Sequence, residues 1–216
     1  MIDFSALKAI TIPEGAVKQI KVGGNVIWKQ MLLPAGYQKL EYIEVTGTQY
    51  IDTGFTPNHN SRMVLDFAMT QTENTSAIIG SRRTTSARAF AFSASSAGEW
   101  KYGYGPATHT VGNSDLERHI MDANKNVISI DGITTTVAAA EFAGAYTMQL
   151  GAVIGNAGIY YGYGRIYSCK LYDNGTLVRD YVPCINASGE VGMYDVLSGV
   201  FYGNAGTGAF VTGKRA

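Results

Sequence analysis

Two groups of aromatic side chains in this sequence have the types and spacing of a carbohydrate-binding surface. Trp100, Tyr102 and Tyr104 alternate along one short segment, so they project to one face if that segment is a β-strand. Three further tyrosines lie in a glycine-rich stretch: Tyr160, Tyr161 and Tyr163. Sugars present apolar C–H faces that stack on aromatic rings, and nearby polar groups fix their orientation. The alternative for each residue is a place in the core or in a cross-strand pair, because a spacing of two also predicts these.

Arginine side chains could add hydrogen bonds to an acidic glycan at such a surface. The three candidates precede the first aromatic group: Arg82, Arg83 and Arg88. The alternative is a solvated loop, in which exposed charges contribute little to stability. The solvated loop is the default interpretation of these three arginines.

Acidic residues and histidines do not form a recognisable catalytic motif. A retaining glycosidase holds two carboxyl groups about 5 Å apart, which requires acidic residues alternating on one strand. Glu41 and Glu44 differ in strand parity and therefore point to opposite faces. Asp66 and Asp131 lie alone on their strands. The histidines are scattered and have no serine or cysteine partner in a motif: His59, His109 and His119. We therefore expect a protein that is not an enzyme.

Oxygen-bearing side chains in the loops are too scattered to predict a calcium site. The candidates are Asp52, Asn58, Asp115 and Asn156. None of them belongs to an Asp-x-Asp-x-Asp cluster of the kind that binds calcium. We expect no metal and no cofactor.

The two cysteines, Cys169 and Cys184, flank a predicted hairpin turn at residues 173–176. In that hairpin Cys169 would face Asp180, and Cys184 would face Arg165. The two sulfurs would then be about four residues, or about 13 Å, out of register. We expect two free thiols.

Composition favours an all-β protein and excludes several partners. The 216 residues include 26 glycines and 14 tyrosines, which is typical of many turns and half-exposed pleated surfaces. Seventeen basic residues balance seventeen acidic ones, so no long-range field attracts nucleic acid. The first residues lack a basic leader with an apolar core, and no run of about 18 apolar residues occurs. We expect neither a secretion signal nor membrane insertion.

Short segments with alternating polarity recur at the spacing of an antiparallel two-sheet sandwich. Residues 62–69 alternate with one clearly apolar face, and residues 146–154 are apolar on both faces, as in a central strand. Residues 138–144 could form one helical turn. The hairpin at residues 165–183 has a predicted core face in its first strand: Tyr167, Cys169 and Leu171.

Residues 1–33 are predicted to form a separate unit with a small hairpin. Strands at residues 16–22 and 26–29 flank Gly23, Gly24 and Asn25. Because a two-stranded hairpin is marginal alone in water, its apolar residues should pack on another surface. These candidates for an assembly anchor are Ile20, Val22, Ile27 and Trp28. The alternative, with equal weight, is that the hairpin docks on its own domain.

Three sequence blocks resemble the concanavalin A-like, laminin-G-like jelly-roll domains of phage and prophage proteins from Gram-positive gut bacteria. The blocks are LEYIEVTGTQYIDTGF, RIYSCKLYDNGTLVRDYVPC and GMYDVLSGVFYGNAGTGAF, and the likeness covers residues 37–212. It implies a sandwich of about a dozen antiparallel strands, often displayed on a virion or cell surface and often glycan-binding. The N-terminal stretch IPEGAVKQIKVGGNVIWK resembles the leader of tail-associated proteins.

The resemblance implies a phage virion protein of the tail or baseplate that adheres to host-surface carbohydrate. Its partners would be other virion proteins through the N-terminal segment, and the host glycan through the sandwich. Virion appendages multiply weak sites, so we expect a homo-oligomer, with a trimer as the expected form. The alternatives are a capsid decoration or head-fibre protein with a structural sandwich, and a glycan-cleaving enzyme.

Overall fold

The computed structural model describes residues 33–71, 75–82 and 89–216 in full, and only the backbone of residues 19–22 and 25–29. The chain divides into two compact units, Met1–Pro34 and Ala35–Ala216. Regular structure in the described residues consists of β-strands. Among these residues, no helix has the length and apolar character that crossing a membrane requires.

The first unit contains the predicted hairpin. β1 (Gln19–Val22) pairs antiparallel with β2 (Asn25–Lys29), with Ile20 opposite Trp28. The register shifts after Ile20. The side chains of the proposed anchor lie outside the described part of the chain, so their role stays a prediction: Ile20, Val22, Ile27 and Trp28.

The second unit is an antiparallel sandwich of two sheets, which confirms the predicted all-β jelly-roll architecture. The smaller sheet contains β5 (Ile51–Asp52), β7 (Ser76–Ser81), β8 (Ala89–Ser95), β9 (Glu99–Gly105), β10 (Ala107–Asn113), β14 (Gln149–Leu150), β15 (Ala152–Gly155) and β16 (Gly158–Tyr161). The larger sheet contains β3 (Gln38–Lys39), β4 (Ile43–Thr46), β6 (Arg62–Met69), β11 (Arg118–Asn124), β12 (Val127–Ile130), β13 (Ile133–Thr136), β17 (Tyr163–Asp173), β18 (Thr176–Ile185), β19 (Val191–Asp195), β20 (Val200–Tyr202) and β21 (Val211–Thr212). Among the described strands, the single parallel pairing joins Ile154 to Ser81.

The longest strands of the larger sheet, β17 and β18, lie near its centre. The smaller sheet runs β10-β9-β8-β7-β14-β5, with β15 and β16 attached beside β7. The larger sheet runs β13-β12-β11-β6-β17-β18-β19-β20. Hairpin connections join neighbours such as β8 and β9, and β17 and β18.

The core lies between the two sheets and is rich in aromatic rings. β6 has its predicted bounds, and its apolar face is buried as expected: Met63, Leu65, Phe67 and Met69. The Phe67 ring centroid lies 5.6 Å from that of Phe92 and 5.5 Å from that of Trp100, both in the smaller sheet. Edge-to-face packing of this kind adds to the stability gained by burial alone.

The central hairpin has the predicted turn but a different register along its strands. Asp173 pairs with Thr176, and the two turn residues have positive φ, 48° at Asn174 and 80° at Gly175. A register shift after Leu171 places Cys169 opposite Tyr181, so the prediction that it faces Asp180 was wrong by one residue.

Both cysteine thiols are free, as predicted, and both are buried. Cys184 pairs with Gly192 on β19 and with Lys39 on β3, so it is not opposite Arg165. Desolvation raises the pKa of both thiols, to about 11 for Cys184. Neither thiol is therefore activated as a nucleophile.

A bulge in β17 corrects the predicted core face of the hairpin. The pairing of β17 with β6 shifts between Ile166 and Ser168, so Ile166 and Cys169 both face the core. Tyr167 is only half-buried, on the outer side, where it meets the Tyr42 ring with a centroid distance of 5.3 Å. An inserted residue reverses strand parity, which the alternation of types alone does not reveal.

Two further predictions about local structure were wrong. The single strand predicted at residues 146–154 is replaced by the two short strands β14 and β15, because Gly151 turns the chain with φ of 88°. A Cβ at Gly151 would lie 2.7 Å from Val45 Cγ1, so glycine is also required sterically. Residues 138–144 form no helical turn; the segment is irregular and bridges to Asn58 through Ala143.

Candidate functional site

The first aromatic group belongs to the core, so its assignment to a carbohydrate surface was wrong. Trp100, Tyr102 and Tyr104 expose 2%, 0% and 3% of their surface. They lie on the inner face of β9, and Trp100 stacks on Phe92 with a centroid distance of 5.4 Å. A sugar cannot reach these rings in the folded protein.

The tyrosine hydroxyls of this group are satisfied at one edge of the core. The hydroxyl of Tyr104 donates to the carbonyl of His59 at 2.7 Å, and that of Tyr102 donates to the carbonyl of Lys125. Burial raises the pKa of Tyr102 well above its ordinary value. Buried tyrosine is tolerated here because each hydroxyl reaches a turn carbonyl.

The outer face of the same strands carries small side chains. By register, Gly80 on β7, Ala91 on β8 and Gly103 on β9 lie side by side, and Thr108 on β10 continues the row. A Cβ at Gly103 would lie 3.0 Å from the Cβ of Ala89. This row of small residues leaves a furrow across the smaller sheet.

The furrow forms a groove of about 60 Å³. Its floor is buried and apolar: Ala77, Ala89, Ala91, Gly103 and Val153. Its rim is polar and at least partly exposed: Thr75, Arg82, Ser93, Thr108 and Tyr160. The volume is far below the roughly 300 Å³ at which pockets begin to enclose small molecules. A ligand here would lay one face on the groove and keep the other in solvent.

Tyr160 and Arg82 form one wall of the groove. Tyr160 is 38% exposed and pairs with Val153 of the floor. The guanidinium carbon of Arg82 lies 4.2 Å from the centroid of the Tyr160 ring. The wall therefore offers an aromatic ring together with a planar, charged donor.

The other two tyrosines of the second group point elsewhere. Tyr161 packs against Tyr50, with ring centroids 6.2 Å apart. Tyr163 pairs with Thr46 of the larger sheet, and its ring lies against Gly47. Of the predicted aromatic residues, Tyr160 is the one that reaches the groove. Arg83 and Arg88 lie outside the described residues.

The outer face of the larger sheet is covered by paired charges and rings. Arg118 donates two hydrogen bonds of 2.7 Å to Asp66, and its guanidinium carbon lies 3.8 Å from the Tyr167 centroid. The same combination recurs twice: Arg62 with Asp122 and Tyr172, and Arg165 with Glu44 and Tyr42. These guanidinium groups are already bound to carboxylates, which reduces their capacity for an external anion.

His119 has two carboxylate partners and, among the described residues, no hydrogen bond to a serine, threonine or cysteine. Its ring nitrogens lie 2.6 Å from Asp131 and 2.8 Å from Asp115. Burial alone would lower the pKa of His119, but these hydrogen bonds outweigh burial and raise it. The ring packs against Phe67 and Trp100, so it holds β11 against the core.

Asp52 and Asn58, two of the loop residues considered for calcium, use their side-chain oxygens within turns. Asp52 accepts the amide of Gly54 at 2.9 Å, and Asn58 accepts the amide of Asn60 at 2.7 Å. Within the described ranges, no group of three or more His, Cys, Asp or Glu side chains could hold a metal ion.

A larger opening of about 340 Å³ lies at one end of the sandwich. His59 in its lining uses both ring nitrogens, with Phe142 and with Asn60. Apart from the His59 imidazole, its described lining residues include one aromatic ring, that of the buried Tyr104. An exposed ring favours the groove over this opening as a sugar-binding surface.

Comparisons with known proteins do not identify a family. No protein-family model matches the sequence, and no curated protein matches it. Among solved structures, the chain is similar to a mutant of Trypanosoma rangeli sialidase displaying trans-sialidase activity. That likeness has 14% identity and a TM-score of 0.40, and it covers 55% of this chain and 21% of that chain. A likeness this distant supports no inference about this protein.

The groove was missed in the sequence, although one signal for it was present. In β8 the sequence AFAFSAS alternates two phenylalanines with small residues. The phenylalanines face the core, and Ala89, Ala91 and Ser93 face out. Small residues on the outer face of a central strand are the pattern that predicts such a furrow.

Proposed function

We propose that the sandwich is a carbohydrate-binding domain and that its ligand lies across the groove on the smaller sheet. The supporting observation is the placement of Tyr160, an exposed ring at the wall of an apolar floor. Hydroxyls of Thr75, Ser93 and Thr108 surround that floor. A pyranose matches this arrangement, because it has an apolar C–H face and a rim of hydroxyls.

Binding without cleavage fits the groove best. Among its described lining residues there is no carboxylate and no histidine. Glycoside hydrolysis normally requires two acidic groups on opposite sides of the scissile bond. Incubating the protein with a bound polysaccharide should therefore produce no new reducing ends, and their appearance would replace binding by catalysis.

The experiment for binding compares two tyrosines that both lie beneath an arginine. The full chain is screened on a glycan array, and the best ligand is titrated by calorimetry against the wild type, Tyr160→Leu and Tyr172→Leu. Tyr172 is the matched control, because Arg62 lies 4.8 Å above its ring on the opposite outer face.

Loss of the Tyr160 ring should weaken binding about 2- to 10-fold, the range expected for one aromatic contact. Tyr172→Leu should bind like the wild type. Equal affinity of all three proteins would remove the groove as the site, and binding to no glycan would remove the proposed function.

We further propose that this domain serves adhesion on a phage virion, at the tail or baseplate, as a homo-oligomer. The support is the resemblance of three sequence blocks to jelly-roll domains of phage proteins, together with the separate N-terminal hairpin unit. A shallow groove binds weakly, and several copies on one particle would provide avidity.

Immunogold labelling of particles would test this placement. Label on the tail is the expected result, whereas label on the head would make the protein a capsid decoration or head fibre. Light scattering should give a trimeric mass, and a monomer would contradict the oligomer.

A further inference from the structure

The groove has a positive charge and no compensating negative charge in its lining. Among the described residues that line it, Arg82 is the only charged side chain. The whole chain has a formal net charge of zero, so this charge is a local feature. At such a site, selectivity for an anion must come from short-range contacts instead of long-range attraction.

Arg82 differs from four other arginines in its partners. Those four each lie within salt-bridge distance of a carboxylate: Arg62, Arg118, Arg165 and Arg179. In the part of the chain that the structure describes, no carboxylate lies within that distance of Arg82. Its guanidinium therefore retains donors for an external acceptor.

The Arg82 side chain is also held in place. Its backbone amide donates to the carbonyl of Ile154 at 2.9 Å. A Cβ at Gly155 would lie 3.3 Å from Arg82 Cγ, so the glycine leaves room for the arginine stem. With the guanidinium stacked on Tyr160, both ends of the side chain are supported. A positioned side chain loses less conformational entropy when it binds a ligand.

We propose that the groove selects glycans that carry an anionic group, with Arg82 as the residue that binds the anion. Arg82 covers one face of the Tyr160 ring, so a ligand at this wall meets a guanidinium as well as an aromatic surface. A carboxylate or a phosphate accepts two parallel hydrogen bonds from that group. The rim hydroxyls then bind the sugar itself. This inference rests on the proposed carbohydrate binding.

The test uses paired ligands that differ only in charge. Uronic-acid oligosaccharides are titrated beside their carboxyl-reduced forms, and glycerol-phosphate oligomers beside glycerol oligomers. The full-length wild type, Arg82→Gln, Arg82→Lys and Arg62→Gln are measured by calorimetry. Arg62→Gln is the matched control, because Arg62 also stacks on a tyrosine but already binds Asp122. Melting temperatures confirm that each variant is folded.

The expected result is that the wild type binds one of the anionic ligands at least about tenfold more tightly than its neutral counterpart. Arg82→Gln should remove this preference, Arg82→Lys should retain part of it, and Arg62→Gln should leave it intact. The ligand pair that shows the preference identifies carboxylate or phosphate as the source of the anion.

Two outcomes would overturn the inference in distinguishable ways. Equal binding of charged and neutral forms, unchanged in Arg82→Gln, would refute anion selectivity and leave carbohydrate binding standing. Binding of no ligand, charged or neutral, would refute both this inference and the proposed function.

Discussion

The two outer faces of the sandwich use arginine and tyrosine in opposite ways. On the larger sheet, Arg118 binds Asp66 through two hydrogen bonds and stacks on Tyr167. On the smaller sheet, Arg82 stacks on Tyr160 at the wall of the groove. The described residues that line this groove include no acidic side chain. The same pair of residue types therefore covers one face and leaves the other available for a ligand.

The difference arises from the residues between these pairs. The larger sheet places Asp66 and Val64 on the outer face of β6, whereas the smaller sheet places Ala91 and Gly103 on β8 and β9. Side chains of full size fill the surface between the arginines and supply their counter-charges. Small residues leave a furrow and supply no charge. In this protein, the exposed ring that borders a groove is the one with small neighbours.

The largest loss of stability should come from removing an aromatic ring on the inner face of the smaller sheet. This variant tests whether inner rings support the fold and outer rings do not. Trp100→Ala should lower the free energy of unfolding by about 3–5 kcal/mol, because it leaves a cavity between Phe67 and Phe92. Urea denaturation measures this loss. Tyr160→Ala is the control and should cost far less, since that ring is 38% exposed. Equal losses would mean that Tyr160 supports the fold as Trp100 does.

A larger side chain on the groove floor should weaken glycan binding strongly while destabilising the fold only moderately. Ala91→Leu places a larger side chain on the groove floor and should weaken glycan binding at least about tenfold, with about 1–3 kcal/mol of destabilisation from overpacking. Val64→Leu enlarges a residue on the other outer face and should leave binding unchanged. Calorimetric titration and thermal unfolding measure the two effects. Unaltered binding by Ala91→Leu would place the ligand outside the groove.

His119, on the inner face of β11, should make the free energy of unfolding depend on pH. The pKa of His119 is raised in the folded state, so its contribution is fully present below its ordinary value of 6.5 and is lost as pH rises through the raised pKa. Unfolding free energies between about pH 5.5 and about pH 8.5 should therefore fall toward high pH.

The variant His119→Gln should lack this component of the pH profile, and His59→Gln should retain it. Urea denaturation at each pH provides the measurement. A wild-type profile identical to that of His119→Gln would exclude a stabilising interaction of the protonated ring with Asp115 and Asp131.

The smallest loss of stability should come from breaking an ion pair on the outer face of the larger sheet. Arg118→Gln should cost no more than about 1 kcal/mol, because the pair with Asp66 is exposed on the arginine side and is screened by solvent. Raising the salt concentration should reduce the difference from the wild type further. A larger and salt-insensitive loss would show that stacking on Tyr167, and not charge pairing, stabilises this face.

Local patterns in the sequence predicted local features well. The alternation in Arg62–Met69 gives the bounds and the buried face of β6, and Asn174-Gly175 gives the hairpin turn. Both depend only on neighbouring residues, since side chains alternate with a period of two and glycine tolerates positive φ. The same period also showed that Trp100, Tyr102 and Tyr104 share one face.

The same patterns could not predict which residues of a longer strand face the core. The bulge near Tyr167 moves that residue out of the predicted core face, and its position depends on how β17 pairs with β6. Gly151 divides another predicted strand, because Val45 of the larger sheet lies where a side chain would be. Each deviation involves a contact between residues that are distant in sequence.

The sequence by itself determined the all-β class, the two-residue turn of the central hairpin and the groups of residues that share a strand face. Only the tertiary structure decided which of those faces is covered. Trp100 and Tyr160 are both aromatic residues on short strands, yet one lies under the larger sheet and the other beside Ala91 and Gly103 on the outside. The physical reason is that alternation is a property of one strand, whereas burial depends on the sheet that packs against it.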